Sequence, residues 1–187
     1  MTPPMRPLTL ALAAASCAAV AGAATAATTM PTAPTPASPT PALSRNGLGP
    51  IAVGQTLAQA QRASGMRFQP PSGTYPTCRY AAARNRRLGL VLMVARQSRI
   101  VRLDVIKATY ATAAGIRVGS TQKAALAAYP AATVAPHKYL PKGKEIWVGA
   151  KPTARSGRAL VIETNGARVT GIRAGKLPQV GYVEGCA

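Results

Sequence analysis

Two thirteen-residue segments of this chain are nearly the same. They read IAVGQTLAQAQRA from Ile51 to Ala63 and IRVGSTQKAALAA from Ile116 to Ala128, 65 positions later. Both fit the pattern I-x-V-G-x-T-x-x-x-A-x-x-A. A small repeated unit cannot cover its own apolar face, so repeated units stack or pair around a shared core. The repeat therefore predicts two tandem units.

Each copy of the pattern predicts a short extended segment that turns sharply into a helix. Gly54 and Gly119 relax the backbone for the turn. Thr56 and Thr121 stand where a helix N-cap is expected. In the first copy Gln59 follows Thr56 by three residues and completes a capping box, which the second copy lacks. Both helices are too short to be stable alone.

Strand patterns follow each predicted helix. The first half contains CRYAAAR, LGLVLMV and RIVRLDVI, and the second half contains EIWVGAK, RALVIET and ARVTGIRA. Asn165-Gly166 lies between the last two, and this dipeptide favours a type I′ hairpin turn. We predict an α+β fold of two tandem helix-plus-antiparallel-meander units, with the helices on one face of the sheet. The units are placed at residues 48–110 and 111–187, the second including the C-terminal tail.

The first 47 residues are predicted to precede this fold. Residues 1–27 have one positive residue, Arg6, before an apolar run and end in small residues, which is typical of a secretory signal peptide. The run is about ten residues long, whereas a membrane-spanning helix needs about 20, so no transmembrane span is expected. Residues 28–47 are rich in Pro, Thr and Ala and indicate an extended linker. AASC, ending at Cys17, leaves open a lipoprotein acylated at that cysteine.

Two cysteines, Cys78 and Cys186, follow the leader. An even number of cysteines in an oxidising compartment predicts a disulfide, which would close a loop of 108 positions. The chain-entropy model assigns such a loop about 4 to 5 kcal/mol of stability. The expected location is therefore periplasmic or extracellular, with membrane attachment at Cys17 as the alternative.

The chain is strongly basic. It has 23 Lys and Arg residues and 4 Asp and Glu residues, a formal net charge of +19. Such a field attracts partners rich in phosphate or carboxylate, and the attraction weakens as salt is added. The alternative is compositional, because Arg accompanies abundant Ala, Gly and Pro in the chain and can serve as a general solubilising residue.

The helix entries IAVGQT and IRVGST, each followed by an antiparallel meander, resemble a known superfamily. It contains the beta-lactamase inhibitory proteins and the outer-membrane assembly lipoproteins of the SmpA/OmlA type. PHKY at residues 136–139 and YVEGC at residues 182–186 are also similar to uncharacterised secreted bacterial proteins. The resemblances cover residues 48–186. They imply a tandem α+β fold whose open sheet face grips another protein.

Catalytic signatures are missing from the sequence. It has no H-x-x-x-H, G-x-S-x-G or P-loop pattern, so no catalytic residue is assigned. His137 has no second histidine or nearby carboxylate at ligand spacing, and neither a metal nor another cofactor is expected. Glycoside hydrolysis would require Asp104 to meet Glu145 or Glu163 from separate segments. Nucleic-acid binding is not expected, because the basic residues lack interleaved aromatics.

Strand alternation suggests where a partner would bind. In EIWVGAK it places Ile146 and Val148 inward and Trp147 outward. A lone exposed tryptophan is a natural interface anchor; the reversed register, with Trp147 in the core, is the alternative. The predicted partner-binding residues are Trp147, Lys151, Arg102 and Arg79.

Together these features predict a secreted or periplasmic, non-catalytic binding module. It would be an inhibitor or an envelope-assembly accessory that recognises an acidic protein through an open sheet face. The first alternative is a cationic envelope protein that binds lipid phosphates or anionic wall polymers. A third hypothesis is a hydrolase whose site is assembled from distant residues.

Overall fold

The computed structural model describes residues 41–73 and 77–186 of the chain. The predicted signal peptide, most of the predicted linker and Cys17 lie outside the described residues. Within the described ranges, no helix is long and apolar enough to cross a membrane.

A small three-stranded antiparallel sheet precedes the first helix. Its strands are β1 (Leu43–Ser44), β2 (Gly47–Leu48) and β3 (Ile51–Ala52). Leu43, Leu48 and Ile51 are buried because they pack into the largest apolar cluster. Strand β1 lies inside the segment predicted as linker, because Leu43 is an apolar residue that packs into the core.

Two helices were expected, and the described residues contain two. Helix α1 spans Leu57–Ser64 and begins at the capping box that the sequence predicts: Thr56 accepts from the Gln59 amide, and the Gln59 side chain accepts from the Thr56 amide at 2.8 Å. Helix α2 spans Gln122–Ala128 and has Thr121 alone as its N-cap.

The main sheet has seven antiparallel strands among the described residues, in the order β4-β5-β6-β10-β9-β8-β7. They are β4 (Arg79–Ala82), β5 (Leu90–Val94), β6 (Ile100–Val105), β7 (Thr133–Pro136), β8 (Lys144–Gly149), β9 (Arg158–Thr164) and β10 (Val169–Lys176). The α+β class with antiparallel pairing is therefore confirmed. The last strands of the two halves, β6 and β10, are neighbours at the centre, where Asp104 lies opposite Arg173.

One face of the main sheet carries the largest apolar cluster. Leu92, Leu103, Ile172, Ile162 and Ile146 point to it from five successive strands. The same cluster takes in side chains of both helices, which are Leu57, Ala60 and Ala125. Burial of these side chains stabilises helices that are too short to form alone.

The opposite face is covered in part by the end of the chain. Residues 177–186, here called the C-terminal segment, place Leu177 and Val180 against Trp147, and Cys186 beside Met93. The Cα atoms of Cys78 and Cys186 lie 5.7 Å apart and their sulfur atoms are bonded, as the cysteine count predicts. The disulfide ties the C-terminal segment to the residue just before β4.

The turn of the β9–β10 hairpin differs from the predicted type I′ turn. Only Gly166 of Asn165-Gly166 has a positive φ, 97°, and the Asn165 side chain instead accepts hydrogen bonds from the next backbone amides. The β9–β10 hairpin is real, but its turn is closed by an asparagine side chain. The φ pattern of a type I′ turn occurs between β5 and β6, where Gln97 and Ser98 have φ of 57° and 53°.

Candidate anion-binding surface

All four side-chain carboxylates of the chain form ion pairs, and three of them share one network. On the face opposite the largest apolar cluster, Arg102 pairs with Asp104 at 2.6 Å. Arg173 pairs with both Glu145 and Glu163, each at 2.9 Å. Sequence alone gave no reason for these carboxylates to meet, whereas strands β6, β10, β9 and β8 bring them side by side.

This network fastens the C-terminal segment to the sheet. Arg102 donates to the backbone oxygens of Gln179 at 3.1 Å and Tyr182 at 2.6 Å, and Arg173 donates to the same Tyr182 oxygen at 2.9 Å. Trp147 donates its indole N–H to Glu145 at 3.1 Å. Each of these charged groups has a hydrogen-bond or ion-pair partner within the protein, and such partners offset the cost of removing a charge from water.

Two predicted partner-binding residues are consequently not exposed. Trp147 does point to the face opposite Ile146, as alternation predicts, but only 3% of its surface is accessible. Arg102 is 6% accessible. The expectation that they lie on an open face is wrong, because Val180 and the backbone of Tyr182 cover that part of the sheet. Alternation along one strand carries no information about a segment that packs over it.

The other two predicted residues, Arg79 and Lys151, are exposed at one end of the main sheet. That end is formed by the start of β4, the β5–β6 turn, the end of β10 and the β8–β9 loop, as the strand registers require. Eight exposed cations of the described residues lie there, and we call this surface the basic end. They are Arg45, Arg79, Arg96, Arg99, Lys151, Arg155, Arg158 and Lys176.

The charges of the basic end are not balanced by local side-chain carboxylates. Asp104, Glu145 and Glu163 lie within the buried network, and Glu184 pairs with Lys138 at 2.6 Å. Like charges gathered at one surface create a strong local potential that attracts anions. The exposed position of these side chains makes that attraction sensitive to salt.

Two of these cations are held in place by hydrogen bonds to backbone and side-chain oxygens. Arg99 donates to the carbonyl oxygen of Gly54 at 2.9 Å, which links the β5–β6 turn to the entry of α1. Arg158 donates to the Val53 oxygen and to Asn46, both at 3.2 Å. These bonds reduce the conformational freedom of two long side chains and so lower the entropy cost of binding.

A groove of about 830 Å³ opens at the basic end. Its lining includes the cations Arg96, Arg99 and Lys176, the amides of Gln97 and Gln179, and the apolar side chain of Val101. The volume is in the range of small-molecule binding sites. Arg96 and Arg99 flank the left-handed turn at Gln97 and Ser98, a conformation that non-glycine residues adopt at a cost of about 1 to 2 kcal/mol each.

A second polar cluster lies on the exposed side of the C-terminal segment. Glu184 accepts hydrogen bonds from Lys138 and from the Tyr139 hydroxyl. The bond from Lys138, followed by that from Tyr139, lowers the pKa of Glu184, and the bond to Glu184 raises the pKa of Lys138. His137 accepts from the Tyr139 amide at 3.1 Å, so its Nδ1 is occupied locally.

Sequence reasoning selected Arg79 and Lys151 but did not connect them with Arg96, Arg158 or Lys176. These residues are far apart in the chain. The sequence does indicate that each of these residues lies at a strand end or in a turn. Which strand ends lie together depends on the strand order.

No protein-family model matches this chain, and no curated protein matches it. Among solved structures, it is similar to the uncharacterised protein YfeY from Escherichia coli, with a TM-score of 0.43 and 13% sequence identity. The match covers 72% of this chain and 99% of that chain. A similarity of this size carries no argument about the present protein.

Proposed function

We propose that this protein is a secreted, non-catalytic cationic module of the cell envelope, which binds lipid phosphates or anionic wall polymers through the basic end. One observation carries the proposal. The four carboxylates pair with Arg102, Arg173 and Lys138, and eight other cations stand exposed at one end of the sheet. Exposed cations with no carboxylate beside them create a local potential that attracts polyanions.

The cysteine pair supports the proposed location. A disulfide persists in oxidising compartments such as the periplasm or the extracellular medium. The bond between Cys78 and Cys186 and the signal-peptide pattern of residues 1–27 both favour export. The two-unit organisation belongs to the same proposal: β6 and β10, each the last strand of its half, pair at the sheet centre, and α1 and α2 share one apolar cluster.

The second candidate is an acidic protein partner. It is favoured by the composition of the basic end, since six of its eight cations are arginines and arginine is enriched in protein interfaces. Arg79 and Lys151 remain available to such a partner. An interface centred on Trp147 and Arg102 has less support, because both side chains are buried beneath the C-terminal segment.

The test measures binding of the purified, exported protein to vesicles of phosphatidylglycerol in phosphatidylcholine and to phosphatidylcholine alone. The variant replaces three exposed cations outside the groove, Arg79, Lys151 and Arg155, with Gln. Each cation near an anionic surface contributes about 1 kcal/mol, so affinity for the anionic vesicles should fall about 100-fold. Neutral vesicles should not bind either protein.

A matched control replaces Arg62, Arg87 and Lys123 with Gln, which lowers the net charge equally at exposed positions elsewhere. It should lose less than about threefold in affinity, since its cations lie away from the surface that binds. Equal losses in the two variants would refute the basic end as the site. Capture of a single envelope protein that survives moderate salt would instead favour the acidic-protein candidate.

A further inference from the structure

Three cations converge on the groove of the basic end. Arg96 and Arg99 stand on the two sides of the β5–β6 turn, and Lys176 is the last residue of β10. The four side-chain carboxylates all belong to the described part of the chain, and none of them lines the groove. A phosphate monoester offers about two negative charges and three acceptor oxygens, whereas a phosphodiester offers about one charge and two such oxygens. Guanidinium groups bind either form through paired hydrogen bonds.

A buried polar atom of one residue that lines the groove lacks a partner. The Oε1 atom of Gln179 is buried and accepts no hydrogen bond among the described residues. Buried side-chain polar atoms are nearly always paired, so an unpaired one calls for an explanation. The residue itself is fixed, because its backbone oxygen accepts from the buried guanidinium of Arg102 at 3.1 Å.

A hydroxyl group would satisfy this amide. Because Oε1 is not accessible to solvent, the half-buried Gln179 side chain must rotate toward the groove for a ligand hydroxyl to donate to Oε1 or accept from the amide nitrogen. The side chains of Ala95 and Val101 add apolar surface to the same groove. A groove of about 830 Å³ has room for the carbon skeleton that joins a phosphate to a hydroxyl group.

We propose that the groove binds a phosphate ester of a polyol, with the phosphate on Arg96, Arg99 and Lys176 and a ligand hydroxyl on Gln179. The inference rests on the proposed function, because it names the ligand chemistry recognised at the same surface. A lipid head group and a soluble polyol phosphate both present this chemistry, and the test separates them.

The first experiment compares two soluble probes, glycerol 3-phosphate and propyl phosphate, by isothermal titration calorimetry at low salt. The probes differ in the two hydroxyl groups of glycerol. The exported protein should bind glycerol 3-phosphate about fivefold more tightly, the effect of one net hydrogen bond. Gln179→Met keeps the length of the side chain and should reduce this preference to about onefold, with an unchanged melting temperature showing that the variant folds.

The phosphate contacts are tested with a second variant, Arg96→Gln with Lys176→Gln, which leaves the Arg99 bond to Gly54 intact. Its affinity for glycerol 3-phosphate should fall more than tenfold. The matched control, Arg87→Gln with Lys123→Gln, removes the same charge elsewhere and should change affinity less than twofold. Equal loss of affinity in the two charge variants would overturn the proposal.

The source of the ligand is tested with vesicles that contain phosphatidylglycerol or phosphatidylethanol at the same mole fraction. These lipids carry the same charge, and only the glycerol head group has hydroxyls. A preference for phosphatidylglycerol that Gln179→Met abolishes identifies a lipid ligand, whereas a preference limited to the soluble probes identifies a soluble one; either supports the site. Vesicle binding without any hydroxyl preference in either assay would refute the groove site and leave the proposed function standing.

Discussion

Arg173 holds the buried ion-pair network together, so its replacement should destabilise the fold more than any loss of a surface charge. Its side chain is 3% accessible, pairs with Glu145 and Glu163 at 2.9 Å each and donates to the Tyr182 carbonyl. Arg173→Met keeps much of the side-chain length but removes all of these bonds. The variant leaves Glu145 as a charge with 9% accessibility and one remaining donor, Trp147.

The expected loss in the free energy of unfolding follows from the burial of Glu145. Removing one partner of a buried ion pair costs about 3 to 5 kcal/mol, because the other charge stays buried without compensation. Glu163 is 21% accessible and can recruit water, so it should add little. We expect a loss of about 4 kcal/mol, which is about 2 M in urea midpoint if the denaturant slope is about 2 kcal/mol per M.

Equilibrium urea unfolding, followed by tryptophan fluorescence at Trp147 and by circular dichroism, measures this change. Adding Glu145→Gln to Arg173→Met should restore about half of the loss, because no charge then remains buried beside the indole. Lys138→Met breaks an ion pair whose members are 54% and 56% accessible, and it should leave the midpoint nearly unchanged. A loss below about 1 kcal/mol for Arg173→Met, or no recovery in the double variant, would show that this network is hydrated and that the C-terminal segment does not cover it.

Three further outcomes are expected. Reducing the Cys78–Cys186 bond opens a loop of 108 positions and should lower the free energy of unfolding by about 4 to 5 kcal/mol, measured as the difference between urea midpoints with and without reductant. Thr56→Ala removes the N-cap of α1 and should cost about 1 kcal/mol in the same assay. The pKa of Glu184, measured by NMR titration, should lie below its ordinary value and should rise in the Lys138→Met variant. The small stabilisation from this pair is present above the unfolded-state pKa of Glu184 and is lost as the pH falls through its folded-state pKa. An unshifted Glu184 would show that the pair does not form in solution.

Predictions from local pattern succeeded where the interacting residues are close in sequence or few in number. Thr56 and Gln59 form their capping box three residues apart, and two cysteines allow a single pairing. The position of the hairpin at Asn165 was predicted correctly, but its turn type was not. The asparagine side chain closes the loop by accepting hydrogen bonds from backbone amides. Alternation correctly separated the faces of Ile146 and Trp147.

Local sequence patterns could not predict whether Trp147 and Arg102 are exposed or buried. Both side chains are covered by the C-terminal segment, which is 30 or more positions away in the chain. Its docking depends on several contacts at once: the disulfide, the two guanidinium bonds to Tyr182, and the packing of Val180. Each of these contacts has only a weak signal in the sequence, and the sheet face is covered because all of them form together.

What the sequence determined by itself is the excess of positive charge, the helix caps, the cysteine pair and the strand-rich class, since these depend on composition or on neighbours along the chain. Tertiary structure alone decided how the charge is distributed. Strand order and register bring residues from Arg45 to Lys176 to one end of the sheet, and they pair three of the four carboxylates with the buried residues Arg102 and Arg173. The physical reason is that a surface potential depends on distances in space, and those distances are set by pairing between strands that are remote in sequence.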